Sequence, residues 1–217
     1  MTERQSLIQI LERAKISRFH YEVLTIGSLV YMFAAMNVML IAAVMPAIRE
    51  EWSLDPVTTG IVFSVGYIGM FVGAFSLGLL SDYIGRKPML LFSVLLMSIF
   101  TALCGISWDT TSMMVLRFLA GIGLGGVLPQ PGVYVSEYVP AKFRGRFIGL
   151  IETSWVYGAL LSLLFPMILI PTFGWRLTFA IALAPLILIP AIVLRIPESI
   201  RFLERKRRIK DAIDIPV

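Results

Sequence analysis

Six long apolar runs, at about 23–48, 57–81, 88–107, 111–136, 147–170 and 175–195, leave this chain few ways to fold. Each approaches the roughly 20 residues that carry a helix across the hydrocarbon of a bilayer. In lipid the backbone must satisfy its own hydrogen bonds, which restricts the choice to helices and closed barrels. Barrel strands alternate in polarity and are about half as long. The runs therefore predict an all-α membrane protein with six transmembrane helices. Composition agrees, with 58% hydrophobic and 15% charged residues against about 25% charged in soluble domains.

The net charge of +5 is distributed as topology rather than as a nucleic-acid footprint. Bases gather at 4–18, at Arg86 and Lys87, at 142–146 and at 195–210, all on one side of the expected membrane. Only Arg49 and Arg176 fall on the other. By the positive-inside rule this places both termini in the cytoplasm, and no nucleic-acid partner is expected. Some attraction to anionic lipid is. Residues 1–22 read as a cytoplasmic amphipathic segment, with Leu7, Ile10, Leu11 and Ala14 at helical spacing. Residues 196–217 read as the start of a central cytoplasmic loop. No cleavable signal peptide is expected, because the first apolar run is too long for one. His20 is expected to be a polar residue at the interface. Cys104, the single cysteine, is expected to be a small buried hydrophobe.

Several residues stand out against this apolar background. Asp55-Pro56 predicts the start of the second helix. Gly66, Gly69, Gly73 and Gly78 recur along it, and Gly69–Gly73 is a small-xxx-small pair that permits close helix approach. Gly121, Gly123 and Gly126 match G-x-G-x-x-G, but no strand precedes them and no βαβ unit surrounds them, so a packing face is the expected role. Asn37 lies near mid-membrane and needs a hydrogen bond there, either between helices or on a cavity wall. Arg117 and Glu152 are the charges placed well inside the runs. Such groups are costly and normally face an interior or a cavity. Pro46 is expected to end the straight part of the first helix, and Pro185 and Pro190 to kink the last.

The turn between the second and third runs reads Gly78-Leu-Leu80-Ser-Asp82-Tyr-Ile-Gly85-Arg86-Lys87. It resembles the G-x-L-x-D-x-x-G-R-[RK] signature loop of the major facilitator superfamily. Three more segments resemble members of the same families: Arg117 with Gly121, Gly123 and Gly125; Glu137-x-x-Pro140-x-x-x-Arg144-Gly145; and Pro197-Glu198-Ser199-x-Arg201-x-Leu203. Glu152-x-x-Trp155-x-x-Gly158 resembles the metabolite–proton symporter branch, which includes nicotinate- and organic-ion-type carriers, more than the sugar porters. The resemblance implies the amino-terminal half of a two-half carrier, whose halves rock against each other about a midplane site. It implies a carboxy-terminal six-helix half supplied by a longer chain, a separate chain or a second copy.

By that resemblance the expected activity is secondary transport of a small organic solute across the plasma membrane. Asp82, Gly85, Arg86, Glu137, Arg144, Glu198 and Arg201 would form a cytoplasmic gating network, with Arg86 pairing to Asp82 or to a carboxylate on a neighbouring helix end. Glu152, Arg117, Asn37, Trp155 and Tyr31 would form the substrate or proton site. Acidic residues common in the first helix of the branch are replaced by Ala34 and Asn37, which leaves Glu152 as the membrane acid. A passive facilitator and a non-transporting sensor or assembly partner are the competing readings. No cofactor is expected beyond a possible proton gradient. No metal set and no nucleophile–histidine pair is expected, which argues against an enzyme.

Overall fold

The computed structural model describes residues 16–199 together with Phe202 and Leu203. The described residues are helical almost throughout. Helix α1 spans Arg18–Trp52, α2 Pro56–Ile84 and α3 Arg86–Leu103, followed by a 3-10 turn at Cys104–Ile106. Helix α4 spans Thr110–Val127, α5 Gln130–Tyr138 and α6 Ala141–Thr178. A 3-10 segment, Phe179–Leu188, then leads into α7, Ile189–Arg195. Among the described residues, five helical stretches are long and apolar enough to cross a membrane, the last being Ala141–Arg195 taken whole.

That last stretch is interrupted. Gly174 has φ 75° and ψ 169°, outside the helical region, so the backbone turns there between Phe173 and Trp175. A side chain at a positive φ would be strained, and glycine is not. The turn expected between 170 and 175 thus falls at Gly174, after a helix that runs on through Pro166 and Pro171. The run at 111–136 is split the other way: Pro129 and Pro131 remove two amide donors, and α4 ends before α5 begins.

Proline behaves differently elsewhere. Helix α1 continues through Pro46 to Trp52. Pro46 is exposed, while Met45 and Ile48 beside it are buried in the core, and packing on that side holds the helix together. Pro185 lies within the 3-10 segment, and Pro190 opens α7. Asp55 caps α2 by accepting from the Val57 and Thr58 amides at 2.9 and 3.2 Å, with Pro56 at the first helical position. Asp109 caps α4 through the Ser112 amide.

Helix α2 packs mainly on α4, α6 on α1, and α3 on α4. Two clusters make most of the core. One joins Val30, Ala34, Val94, Met97, Leu124 and Tyr138. The other joins Ile41, Val44, Val62, Cys104, Met113 and Phe179. Helix approach rests on the glycines. A Cβ at Gly69 or Gly73 would run into the backbone carbonyls of Phe118 or Ile122. Gly121 and Gly125 meet α2 in return, and Gly123 and Gly126 meet Met97 and Ser93 of α3. The G-x-G-x-x-G match is a packing face on two sides. Gly78 is not part of it, since nothing lies within 4 Å of where its Cβ would stand.

Much apolar surface stays uncovered. Helix α2 exposes Tyr67, Phe71, Phe75 and Leu79, and α6 exposes Leu160, Leu163, Met167 and Ile168. These are the outward faces of the two helices that each rest on a single main partner.

Candidate functional site

Two groups of polar residues interrupt the apolar bundle. The first lies at its basic end. Gly85, at φ 119° and ψ 151°, breaks the chain between α2 and α3. The break leaves the first amides of α3 open, and Glu198 fills them. Its Oε1 accepts from the Arg86 amide at 2.8 Å, the Lys87 amide at 3.2 Å and the Ser199 amide at 2.9 Å. A carboxylate at a helix N-terminus gains both hydrogen bonds and the helix dipole. Gly85 also makes room for it: a Cβ there would stand 2.5 Å from Glu198 Oε2.

Arg86 turns its side chain to α5. Its Nε lies 3.4 Å from Glu137 Oε1, and the Glu137 side chain is 2% exposed. The Ser199 hydroxyl donates to the other Glu137 oxygen at 2.6 Å. Of the two partners expected for Arg86, the neighbouring-helix carboxylate is the one present. Asp82 is exposed, and no ion pair joins it to another described residue. Arg144 makes no ion pair among the described residues either. It donates to the Val139 carbonyl at 3.5 Å. Arg201 lies outside the described residues.

Tyr134 and Tyr138, which were missed in the sequence, and His20 tie this cluster to α1. Tyr138 donates to the Glu198 carbonyl at 2.6 Å and stacks on Tyr134. His20, expected as a polar residue at the interface, is buried in the first turn of α1. The Ser17 amide donates to His20 Nδ1 at 3.1 Å, so Nε2 carries the proton and donates to the Tyr138 carbonyl at 3.2 Å. A polar residue at a run boundary gave no signal of this, because its partner is far away in sequence.

The second group lies within the helices. The Tyr31 hydroxyl of α1 donates to Glu152 Oε2 of α6 at 2.8 Å. The Trp155 ring sits 5.5 Å from the Tyr31 ring. Glu152 is exposed on the surface of this bundle, and Tyr31 and Trp155 are partly so. Asn37 is fully buried and donates to the Phe33 carbonyl of its own helix at 2.9 Å, with Oδ1 left unpartnered. Of the two roles expected for it, an interhelical bond or a place on a cavity wall, the interhelical bond is absent among the described residues.

No ion pair or hydrogen bond joins Arg117 to Glu152. Arg117 is 5% exposed, and its Nε and Nη1 have no hydrogen-bond partner among the described residues. Its Nη2 lies along Gly66 of α2, where a Cβ would stand 3.3 Å away. No described carboxylate pairs with it. A buried guanidinium without a partner is one of the most costly groups a fold can retain.

At the opposite end a third cluster went unread in the sequence. Glu51 accepts from Arg176 Nη1 at 2.6 Å and from the Trp175 indole at 2.5 Å. The Arg176 guanidinium lies 4.3 Å over the Trp175 ring. The clasp joins the end of α1 to the chain just beyond Gly174.

A bundle of apolar helices with a glycine-broken, charge-locked turn after its second helix defines a class of multi-pass integral membrane protein. Residues 27–212 match the model of the Major Facilitator Superfamily, and the chain belongs to that family. It is 39% identical over 209 residues to the niacin transporter NiaP of Acinetobacter baylyi, covering 96% of this chain and 48% of that protein. It is 34% identical to a benzoate transport protein of the same organism, covering 96% and 46%. The chain thus spans about half the length of the curated relatives it matches. An inward-open, partially occluded xylose transporter XylE from E. coli superposes with a TM-score of 0.80 at 18% identity, over 90% of this chain and 52% of that one. At that identity the likeness is one of fold.

Proposed function

We propose that this chain is the amino-terminal half of a secondary transporter that carries a small aromatic carboxylate across the plasma membrane by alternating access. In this reading Ala141–Arg195 makes two spans that turn at Gly174, which gives six spans with both ends in the cytoplasm. The carboxy-terminal half covers the open faces of α2 and α6, where Asp82 and Gly78 also await a neighbour. The segments expected at 1–22 and 196–217 lie largely outside the described residues.

The single observation that carries the reading is the Tyr31–Glu152–Trp155 group, an ionisable acid and two aromatic rings at one spot on the uncovered surface. Aromatic rings offer a face to a planar solute. Niacin and benzoate, named for the relatives, are aromatic carboxylates. The unpartnered Arg117 supplies the cation such an anion needs. Glu152 takes up a proton during the cycle, and Tyr31 donates to it when it is ionised. The basic-end network of Arg86, Glu137, Ser199 and Glu198 is a latch that is made in one state and broken in another.

One observation favours a passive facilitator instead: Ala34 and Asn37 leave the middle of α1 without a carboxylate. The two readings separate in proteoliposomes holding the native polypeptide that contains this chain. Labelled niacin and benzoate are supplied with and without an inward proton gradient. Gradient-driven accumulation that Glu152→Gln removes supports coupling. Uptake indifferent to the gradient makes the protein a facilitator, and binding without flux makes it a sensor.

A further inference from the structure

We infer that the pocket where α1, α3 and α7 converge at the basic end binds the headgroup of an anionic phospholipid. The pocket has a volume of about 440 Å³, and Arg18, Glu22, Lys87 and Arg195 contribute to its lining. Three bases from three helices thus face one acid. Glu22 is already engaged twice, by Arg18 Nε at 3.1 Å and by Arg195 Nη1 at 3.1 Å. Lys87 has no carboxylate partner among the described residues: its ammonium donates to the Val193 carbonyl at 2.7 Å, which leaves its charge uncompensated there. Asp82, five residues before Lys87, forms no ion pair with it, and Glu198 is occupied by the amides at the start of α3. The pocket therefore holds an excess of two positive charges at a site wide enough for a phosphodiester.

The walls argue for a lipid rather than a free anion. Phe19 and Leu194 border the pocket, and Leu194 is 79% exposed. Ile187, at 78%, and Val193 continue an uncovered apolar strip from the pocket along the last helical segments. A ligand with an anionic head and acyl chains meets both surfaces at once. Basic side chains at a membrane surface gain about 1 kcal/mol each from anionic lipid, and the gain rises where several converge on one headgroup. The inference rests on the membrane orientation proposed above for its leaflet, the inner one, but not for the site itself.

The test is native mass spectrometry of the native polypeptide that contains this chain, purified in detergent and titrated with phosphatidylglycerol and separately with phosphatidylcholine. Wild type is expected to retain phosphatidylglycerol in preference. Lys87→Gln with Arg195→Gln should lower that retention about thirtyfold, as two lost charges imply. The charge-preserving pair Lys87→Arg with Arg195→Lys should restore it, which separates lost charge from lost folding. Lys142→Gln with Arg146→Gln, on another part of the basic end, should leave it unchanged. Equal retention of the two lipids, or full retention by the glutamine pair, overturns the proposal. So does displacement of the lipid by excess inorganic phosphate, which would make the pocket a free-anion site. Sidedness is read separately, by labelling Ser17→Cys in a Cys104→Ser background with an impermeant thiol reagent. Labelling from outside overturns the orientation alone, because the detergent measurement has no sides.

Discussion

Arg86, at the start of α3, and Glu137, on α5, form an ion pair at 3.4 Å in which the carboxylate side chain is 2% exposed. Their helices are otherwise joined through α4 and the chain beyond α7, so the pair links parts of the bundle that have little other contact. Removing one partner leaves the other charge buried. Glu137→Ala is expected to cost about 3 kcal/mol, and a double-mutant cycle with Arg86→Ala should recover much of that loss. Thermal unfolding in one detergent checks it. Additive losses would mean that the two residues act independently.

Gly85 and Glu198 make a second test. Gly85→Ala meets both a positive φ and the Glu198 carboxylate 2.5 Å away. The expected cost is about 1–3 kcal/mol from backbone strain, plus the lost helix cap. Because Glu198→Ala removes the same cap, the double variant should be no worse than the sum of strain and one cap. Proteolysis at the α2–α3 turn reports it.

Two glycines of α2 predict opposite outcomes. Gly73→Val drives a side chain into the Ile122 carbonyl of α4 and should prevent close packing, with a loss above about 2 kcal/mol. Gly78→Ala meets nothing and gains helix propensity, so it should be neutral or stabilising by up to about 1 kcal/mol in this chain alone. Melting temperatures of the two variants side by side decide it.

Arg117→Met should raise stability. It removes an unpartnered guanidinium from a site that is 5% exposed and replaces it with an apolar chain of similar length. Replacement of buried charge by apolar groups gains about 1–4 kcal/mol in comparable cases. Transport by the native protein should be lost at the same time. A variant that is both less stable and fully active would show that Arg117 serves the fold.

Glu51→Gln should matter little. Arg176 and Glu51 are 44% and 45% exposed at the side chain, and exposed pairs contribute about 0–1 kcal/mol. The indole contact survives in part, since an amide oxygen also accepts. Melting in high and low salt gives the measure, and a shift beyond that range would mark the clasp as structural.

Membrane character, the Asp55 cap and the glycine packing faces were legible because each rests on local sequence. A run of apolar residues has one solvent, a proline after an aspartate has one use at a helix start, and glycines at spacings of three and four lie along one side of a helix. Helix ends were less legible where proline was involved. Pro46 left α1 intact because core packing on Met45 and Ile48 outweighed one lost hydrogen bond, while Pro129 and Pro131 together ended α4.

What the sequence by itself determined is the solvent, the helical class and the charged turn that carries the family signature. Those follow from composition and from patterns a few residues long. Which charges meet was settled by tertiary structure alone. Arg86 chose Glu137 over Asp82, Glu198 became a helix cap, Glu152 met Tyr31, His20 was buried against Tyr138, and Arg117 was left without a partner. The reason is physical: the free energy of a charge in a bundle depends on distance and burial to within an ångström or so, and those are fixed by how helices remote in sequence pack together.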